Sequence, residues 1–585
     1  MTRIDLSEET TSSIGGAHYD QICEAIRQDY VFFVGNLVNR SVPSYRLFSL
    51  DWWLSGTASR NFELSVLFKR IAQAIYFRDK LSMLTGDLCV VVESKGLRQI
   101  IEAIAHQHGR HVTVIHRDSY WTRFIRTIRN VLSPLRSAFR ILFDWIVVRL
   151  FLTKTALSGH SVTLLDTFIL PGAIDRDRYY PGLFNMLPRE LSGCVYLVPQ
   201  FHNFSLKAMI HATRIAGRGS LPYLFKEQYI NILDVLWAVG HGIRKRRIVL
   251  CDTQFMGMDM KPLIEEDLRN SRSYRCAVQG LLNYRFATRL KDHSIRVGRA
   301  IDWYENHPLD RGWNAGFREF HPDADLVGYQ GFYPSFPASR PSREERSAGI
   351  VPDVVAVMGP SMSEDVTEFD RELKTVSAPA FRYPHLNHVV SCNQDSDSKS
   401  KVLVVLPYDR STSEFIVDLI RQVSRENTEY LFMIKVHPAV LENTITGFDS
   451  LDPHRSQFVS RPLDTLFNEA MVVIGGPIAT SALESMASGL PYISIAPPGH
   501  AYQHKAPKAL PDGAYWQCPD LSALITALSA IAAGNSFQPY KEQWVDLVRQ
   551  GYFSPVNSAE VLKFIGFGDT PTDNNEISNH TISIT

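Results

Sequence analysis

The sequence predicts an α/β protein of two Rossmann-like domains facing each other across a cleft, with a basic amphipathic helical insertion in the first domain. Three observations lead there. Apolar runs of strand length alternate with amphipathic helical patterns along most of the chain. One polar, Ser/Asp-rich stretch, Asn393-Gln-Asp-Ser-Asp-Ser-Lys-Ser400, interrupts that alternation with nothing to bury. A chain of 585 residues also exceeds what a single hydrophobic core accommodates. Strands alternating with helices mean parallel sheets covered on both faces. The expected division is residues 1–385, a linker at 386–400, residues 401–568, and a polar frayed tail at 569–585.

In the first domain the strand-length runs begin at residues 30–34, 89–92 and 112–115. Between the last two, Leu97, Ile100, Ile101 and Ile104 fall on one helical face, which completes a βαβ unit. Further strands are expected at 162–165, 195–198, 247–251 and 354–358. Beyond the linker they are expected at 401–406, 430–436, 456–459, 471–474 and 491–495, with helices at 414–423, 463–470 and 480–488. Residues 120–154 break the rhythm. Arg123, Arg126, Arg129, Arg136, Arg140, Arg149 and Lys154 alternate at spacings of three and four with Phe124, Ile128, Val131, Leu135, Phe139, Leu142, Trp145 and Ile146. That spacing predicts an amphipathic helical pair interrupted near Pro134. With Asp144 as its one acid, the segment suits either the interface of an anionic bilayer or a long core helix with a solvated basic face.

Composition excludes several partners. Lys+Arg and Asp+Glu both total 61, so no overall basicity is available to hold nucleic acid by counterion release. The seven cysteines are scattered and never in a CxxC pair, which argues against a disulfide framework or a zinc site and for a reducing compartment. The first residues lack a positive n-region followed by an apolar h-region, and no uncharged apolar run reaches the roughly 18 residues of a spanning helix. A cytoplasmic protein, peripheral at the inner face of the membrane, is therefore expected. The acid pairs Asp175/Asp177, Asp323/Asp325 and Asp395/Asp397 sit in polar loops, and no metal site is assigned to them.

Three constellations could carry chemistry. Gly475-Gly476-Pro-Ile-Ala-Thr480-Ser481 follows a buried strand and opens a helix, where backbone N–H groups and hydroxyls can hold a phosphate. Glu484 lies one turn further, placed to accept hydrogen bonds from a ribose diol. The alternative is an ordinary strand-to-helix turn with a capping hydroxyl. Lys435-Val-His437-Pro438 ends another buried strand at the carboxyl edge of its sheet, where ligands of open α/β sheets bind. The third stretch runs from Asp302 to Gly331 and gathers Glu305, His307, Tyr329 and Gln330 at strand ends. There Glu305, His307 or the more remote Asp51 could take a proton from an acceptor hydroxyl, or Glu305 could simply cap a helix.

These motifs resemble known families. Ala482-Leu-Glu-Ser-Met-Ala-Ser-Gly-Leu-Pro491 is similar to the Glu-x4-Gly-x-Pro signature of GT-B glycosyltransferases. That resemblance implies a donor ribose on Glu484 and a donor phosphate on Thr480 and Ser481. The Lys435–Pro438 motif with Ser481 resembles GT-B sialyltransferases and Kdo transferases, which use CMP-activated sugars, and poly(glycerol phosphate) polymerases, which use CDP-glycerol. The 302–331 stretch, with Ala378-Pro-Ala-Phe-Arg-Tyr-Pro-His-Leu386, resembles bacterial O-antigen and capsule biosynthesis proteins. Together they imply a metal-independent glycosyltransferase of surface-polysaccharide or lipopolysaccharide assembly, with no cofactor beyond its nucleotide-sugar donor. The donor would be CMP-Kdo, another CMP-nonulosonate or a different nucleotide sugar, and the acceptor a lipid-linked glycan. A GT-B UDP-sugar epimerase, a CDP-polyol phosphotransferase and a non-catalytic assembly scaffold remain as alternatives.

Overall fold

The computed structural model describes residues 2–7, 16–38, 50–117, 120–152, 157, 161–171, 173–202, 204–334, 336–387, 400–426, 429–437, 440, 445–477, 480–500, 510, 513–534 and 541–567. Three parallel sheets organise them. The first joins β1 (Thr2–Asp5), β2 (Leu88–Val92) and β3 (Val112–His116) in that order. The second contains β4 (Val162–Ile169) and β5 (Val195–Phe201), and a short antiparallel hairpin, β6 (Gln254–Phe255) with β7 (Met258–Asp259), precedes its remaining strands. Those are β8 (Val297–Trp303), β9 (Asp325–Gln330), β10 (Val354–Val357) and β11 (Lys374–Ser377), in the order β11-β10-β9-β8-β4-β5. The third holds β12 (Lys401–Val405), β13 (Leu431–Lys435), β14 (Ser456–Phe458), β15 (Val472–Gly475), β16 (Tyr492–Ser494) and β17 (Tyr515–Gln517), ordered β14-β13-β12-β15-β16-β17. The two large sheets are the two Rossmann-like domains; the small sheet is an additional layer of the N-terminal part.

Each large sheet reverses its strand order once. The chain leaves β4 for β5 on one side and later places β8 on the other; from β12 it goes to β13 on one side and later sets β15 on the other. Where the order reverses, the loops diverge beyond the carboxyl ends of the strands and leave a crevice. The crevice of the second sheet opens beside Trp303 and Glu305, and that of the third beside Tyr408, His437 and Gly475.

The structure departs from the sequence reading in several elements. Residues 30–34 lie inside the helix Gly16–Asn36, because Tyr30, Val34 and Leu37 are buried on one face while Phe32 is 63% exposed, a helical and not a strand pattern. Residues 247–251 form a 3-10 turn and irregular chain. Pro134 does not interrupt its segment: Tyr120–Phe151 is one helix of 32 residues. Of the linker expected at 386–400, residues 388–399 fall outside the described residues, as does the tail expected at 569–585. The C-terminal boundary is also shared between domains. Ser554 donates its N–H to the Met358 carbonyl, and its own carbonyl accepts from Ala380. The helix Ser558–Ile565 then packs Val561, Phe564 and Ile565 with Tyr180, Tyr329 and Phe381 on the second sheet.

Candidate functional site

The second-sheet crevice is built by a close helix crossing. The helices Tyr274–Asp292 and Pro308–Phe320 meet at Gly280 and Gly312, where a Cβ on Gly312 would lie 1.9 Å from the Gly280 carbonyl oxygen. Only glycine allows this approach. It sets the start of the second helix beside the start of the first. At that helix start, Asp310 accepts the backbone N–H groups of Glu305 (2.8 Å) and His307 (2.9 Å). Between them Asn306 takes a left-handed φ of 57°, held by its amide to the Ser339 carbonyl. The tight loop brings Glu305 Oε2 to 3.6 Å from His307 Nε2, with Asn61 Nδ2 2.8 Å from that same nitrogen. Glu305 Oε1 accepts from the Trp303 indole at 2.9 Å.

Carboxyls around this loop hold protons more firmly than usual. Burial, with the nearby Glu305 charge, raises Asp310 to about 7. Burial raises Glu63 as well, despite His307, and both Glu305 and Asp409 of the third sheet add to it. The loop borders a cavity of about 410 Å³ that also meets Phe168, Tyr179, His202, Arg275 and Trp303.

Across the cleft, His437 follows β13 with its ring edge against Tyr408, 5.7 Å between centroids. Burial lowers its pKa, and the positive charges of Arg178 and Arg382 lower it further. Both arginines come from the N-terminal side of the molecule. Arg382 also lies over the Trp303 ring at 5.9 Å, so the two crevices share one cationic boundary. The chain after β11 delivers three side chains to the third sheet: Arg382, Tyr383, whose hydroxyl bonds Thr480, and His385, whose Nε2 is 3.2 Å from Glu484 Oε1. Thr480 Oγ1 additionally accepts the Tyr333 N–H at 3.0 Å. Glu484 is 9% exposed.

The sequence-predicted residues divide accordingly. His437, Thr480 and Glu484 gather on the third-sheet side of the cleft, and Glu305 and His307 on the other. Ser481 bonds the Tyr492 hydroxyl. Gly475 and Gly476 serve packing: a Cβ on Gly475 would stand 2.1 Å from the Tyr492 hydroxyl, and one on Gly476 2.9 Å from Pro407. Lys435 is turned to the far edge, its ammonium donating to the Ser460 and Arg461 carbonyls, so placing it in the pocket is corrected. Asp51 is likewise corrected as a candidate base. It is 1% exposed and fully engaged by His241 Nδ1 (2.7 Å) and Arg244 (2.7 and 3.1 Å). Tyr329 is buried too, its hydroxyl donating to the Pro379 carbonyl, and Gln330 is 3% exposed; neither reaches the cleft. Pro438 lies outside the described residues. Sequence reasoning passed over Glu63, Arg178, Arg382 and His385. The last two stand in the Ala378–Leu386 stretch already singled out, but nothing in its spacing tells which sheet it will face.

The fold and cleft define an α/β protein of two Rossmann-like domains. No family model and no curated protein matches the chain. Among solved structures it is similar to the glycosyltransferase SnogD from Streptomyces nogalater, at 14% identity over 69% of this chain and 99% of that one, TM-score 0.39. It is similar also to the wall teichoic acid polymerase TagF (13%, 77% and 97%, TM-score 0.34) and to a UDP-N-acetylglucosamine 2-epimerase (10%, 69% and 94%, TM-score 0.38). At such identities and TM-scores the chemistry has to be read from the site itself.

Proposed function

We propose that the chain is a GT-B glycosyltransferase that moves a sugar from a nucleotide donor to a hydroxyl of a lipid-linked surface glycan. One observation carries this reading: the charges of Arg178 and Arg382 act on His437 after β13, and Arg382 also lies over Trp303, whose indole bonds Glu305 on the other side. A donor lying along the third sheet would set its ribose by Glu484 and its phosphate toward these cations. The acceptor oxygen would bond the anomeric carbon while Glu305 takes its proton. The bond to the nucleotide breaks with its electron pair leaving on the phosphate, whose charge Arg178 and Arg382 then stabilise. The reading calls for no cofactor beyond the donor. CMP-Kdo or a related CMP-sugar is the donor class it favours, from the His437 motif.

The acceptor's lipid carrier is the second part of the proposal, with an anionic membrane surface as partner. Trp121, Ile125, Ile128, Leu132, Leu135 and Phe139 are all exposed along the Tyr120–Phe151 helix, spaced four, three, four, three and four. That spacing makes one continuous apolar ridge, which a bilayer interface would cover. Nearer its end the helix is fixed to the body by Arg140 to the Phe204 carbonyl and by Trp145 and Arg149 to the Ile230 carbonyl. Among the described residues no helix is long and apolar enough to cross a membrane.

Thermal unfolding of the full chain with CMP, CDP, UDP, GDP and ADP tests the donor site. Selective stabilisation by one nucleotide supports the reading, and CMP is the one expected. No stabilisation by any would sink it in favour of a scaffold. Acceptor-independent isomerisation of a UDP-sugar would instead decide for an epimerase, and consumption of CDP-glycerol for a polyol-phosphate transferase.

A further inference from the structure

The cavity beside Glu305 has two chemically opposed walls. One carries Glu305, His307 and Asp310. The other is the amino end of the Tyr274–Asp292 helix and the residue preceding its cap: Arg272, Arg275 and Gln279 recur at spacings of three and four and line the same cavity. Arg272 is exposed and Arg275 half-buried. Asp144 lies close enough to act on Arg275, yet that carboxylate is ion-paired to Arg140 at 2.8 Å. Among the described residues neither Arg272 nor Arg275 has an ion pair of its own.

A second observation is independent of these charges. Gln279 is 8% exposed, lines the cavity, and its Oε1 has no hydrogen-bond partner among the described residues; Gln200 Nε2, also at the cavity, has none either. A buried amide without a partner costs free energy unless something completes it. The side-chain cations, the Gln200 N–H donor and the positive end of the helix dipole favour an anion, while the Gln279 oxygen calls for a hydroxyl that donates to it. The rings of Tyr179 and Trp303, 4.5 Å apart by centroids, supply an apolar surface between the two walls.

We propose that this cavity takes an acceptor sugar bearing an anionic group, phosphate or carboxylate. The anion seats on Arg272 and Arg275, the amides of Gln200 and Gln279 bond the sugar, and the nucleophilic hydroxyl turns to Glu305 and His307. The assignment of the hydroxyl rests on the transferase reading; the anion seat does not.

Calorimetric titration of the full chain with glucose 1-phosphate, glucuronate and glucose tests it. At least one anionic sugar binds roughly tenfold or more tightly than glucose, and added salt weakens it. The tighter of the two anions identifies phosphate or carboxylate. Arg272→Gln with Arg275→Gln removes the preference, and the exposed Arg272→Gln alone reduces it without touching the core. Equal binding of all three sugars would overturn the proposal, as would a doubly substituted, folded chain that keeps the preference. A parallel CMP and UDP titration separates the two readings. Nucleotide binding without anion preference ends the acceptor proposal alone; anion preference without nucleotide binding keeps the anion seat and ends the transferase reading.

Discussion

Asp166→Asn isolates the electrostatic cost of the floor under the second-sheet crevice. Asp166 sits on β4 at 4% exposure, and its Oδ2 has no hydrogen-bond partner among the described residues. Burial raises its carboxyl from 3.8 to about 7, and Lys226 offsets only part of that. The folded chain therefore holds this proton more tightly than the unfolded chain does. The associated stability is complete below about pH 4, declines as pH rises, and is lost once pH passes about 7. A shift of about three units corresponds to about 4 kcal/mol at most. Asn has the same shape and does not titrate, so the variant matches the parent near pH 4 and exceeds it at pH 8. At about 2.1 cal/mol/K of unfolding entropy per residue over a domain of roughly 385 residues, each kcal/mol is worth about 1 °C, so the gain in melting temperature at pH 8 is at most about 5 °C. Scanning calorimetry of both chains from pH 4.5 to 8 reads the difference directly. Parallel pH profiles, or a variant less stable at pH 8, would refute the reasoning.

Three further outcomes follow from the same contacts. Glu484→Ala weakens nucleotide binding roughly 10- to 100-fold with the fold retained by circular dichroism; unchanged affinity would remove Glu484 from the site. Asp51→Ala leaves the buried His241 and the half-buried Arg244 without their carboxylate and lowers stability by about 3 kcal/mol, while nucleotide affinity stays as it was. A chemical-denaturation curve and a nucleotide titration on the same sample check both halves. Leu132→Gln, Leu135→Gln and Phe139→Gln together, all at exposed positions, abolish co-sedimentation with phosphatidylglycerol vesicles without moving the melting temperature. Full retention on vesicles would discard the ridge as a membrane contact.

How much was legible depended on the range of the interaction. Five of the six strands of the third sheet could be read because their apolar runs are local, whereas the three-residue edge strand β17 (Tyr515–Gln517) is too short to carry a pattern. The loop Glu305–His307 could be found because charged and polar residues cluster there against apolar strands. What failed was of two kinds. The run at residues 30–34 is as apolar as a strand, and its helical face shows only once it is folded, with Phe32 exposed and Tyr30, Val34 and Leu37 buried. Asp51 and Lys435 looked available because sequence does not show their partners, Arg244 at a separation of 193 residues and the Arg461 carbonyl 26 residues on. The same blindness hid Arg178 and Arg382, whose importance comes from His437 on the other side of the cleft.

The bond between Ser554 and Ala380 also ties the two halves of the molecule together. The chain passes between the large sheets twice, once after β11 and once on its return at the carboxyl end, and these two passages are stitched together at that point. The tie holds the two passages side by side, and the stretch that follows Ala380 carries His385 to Glu484 on the Thr480–Ala487 helix.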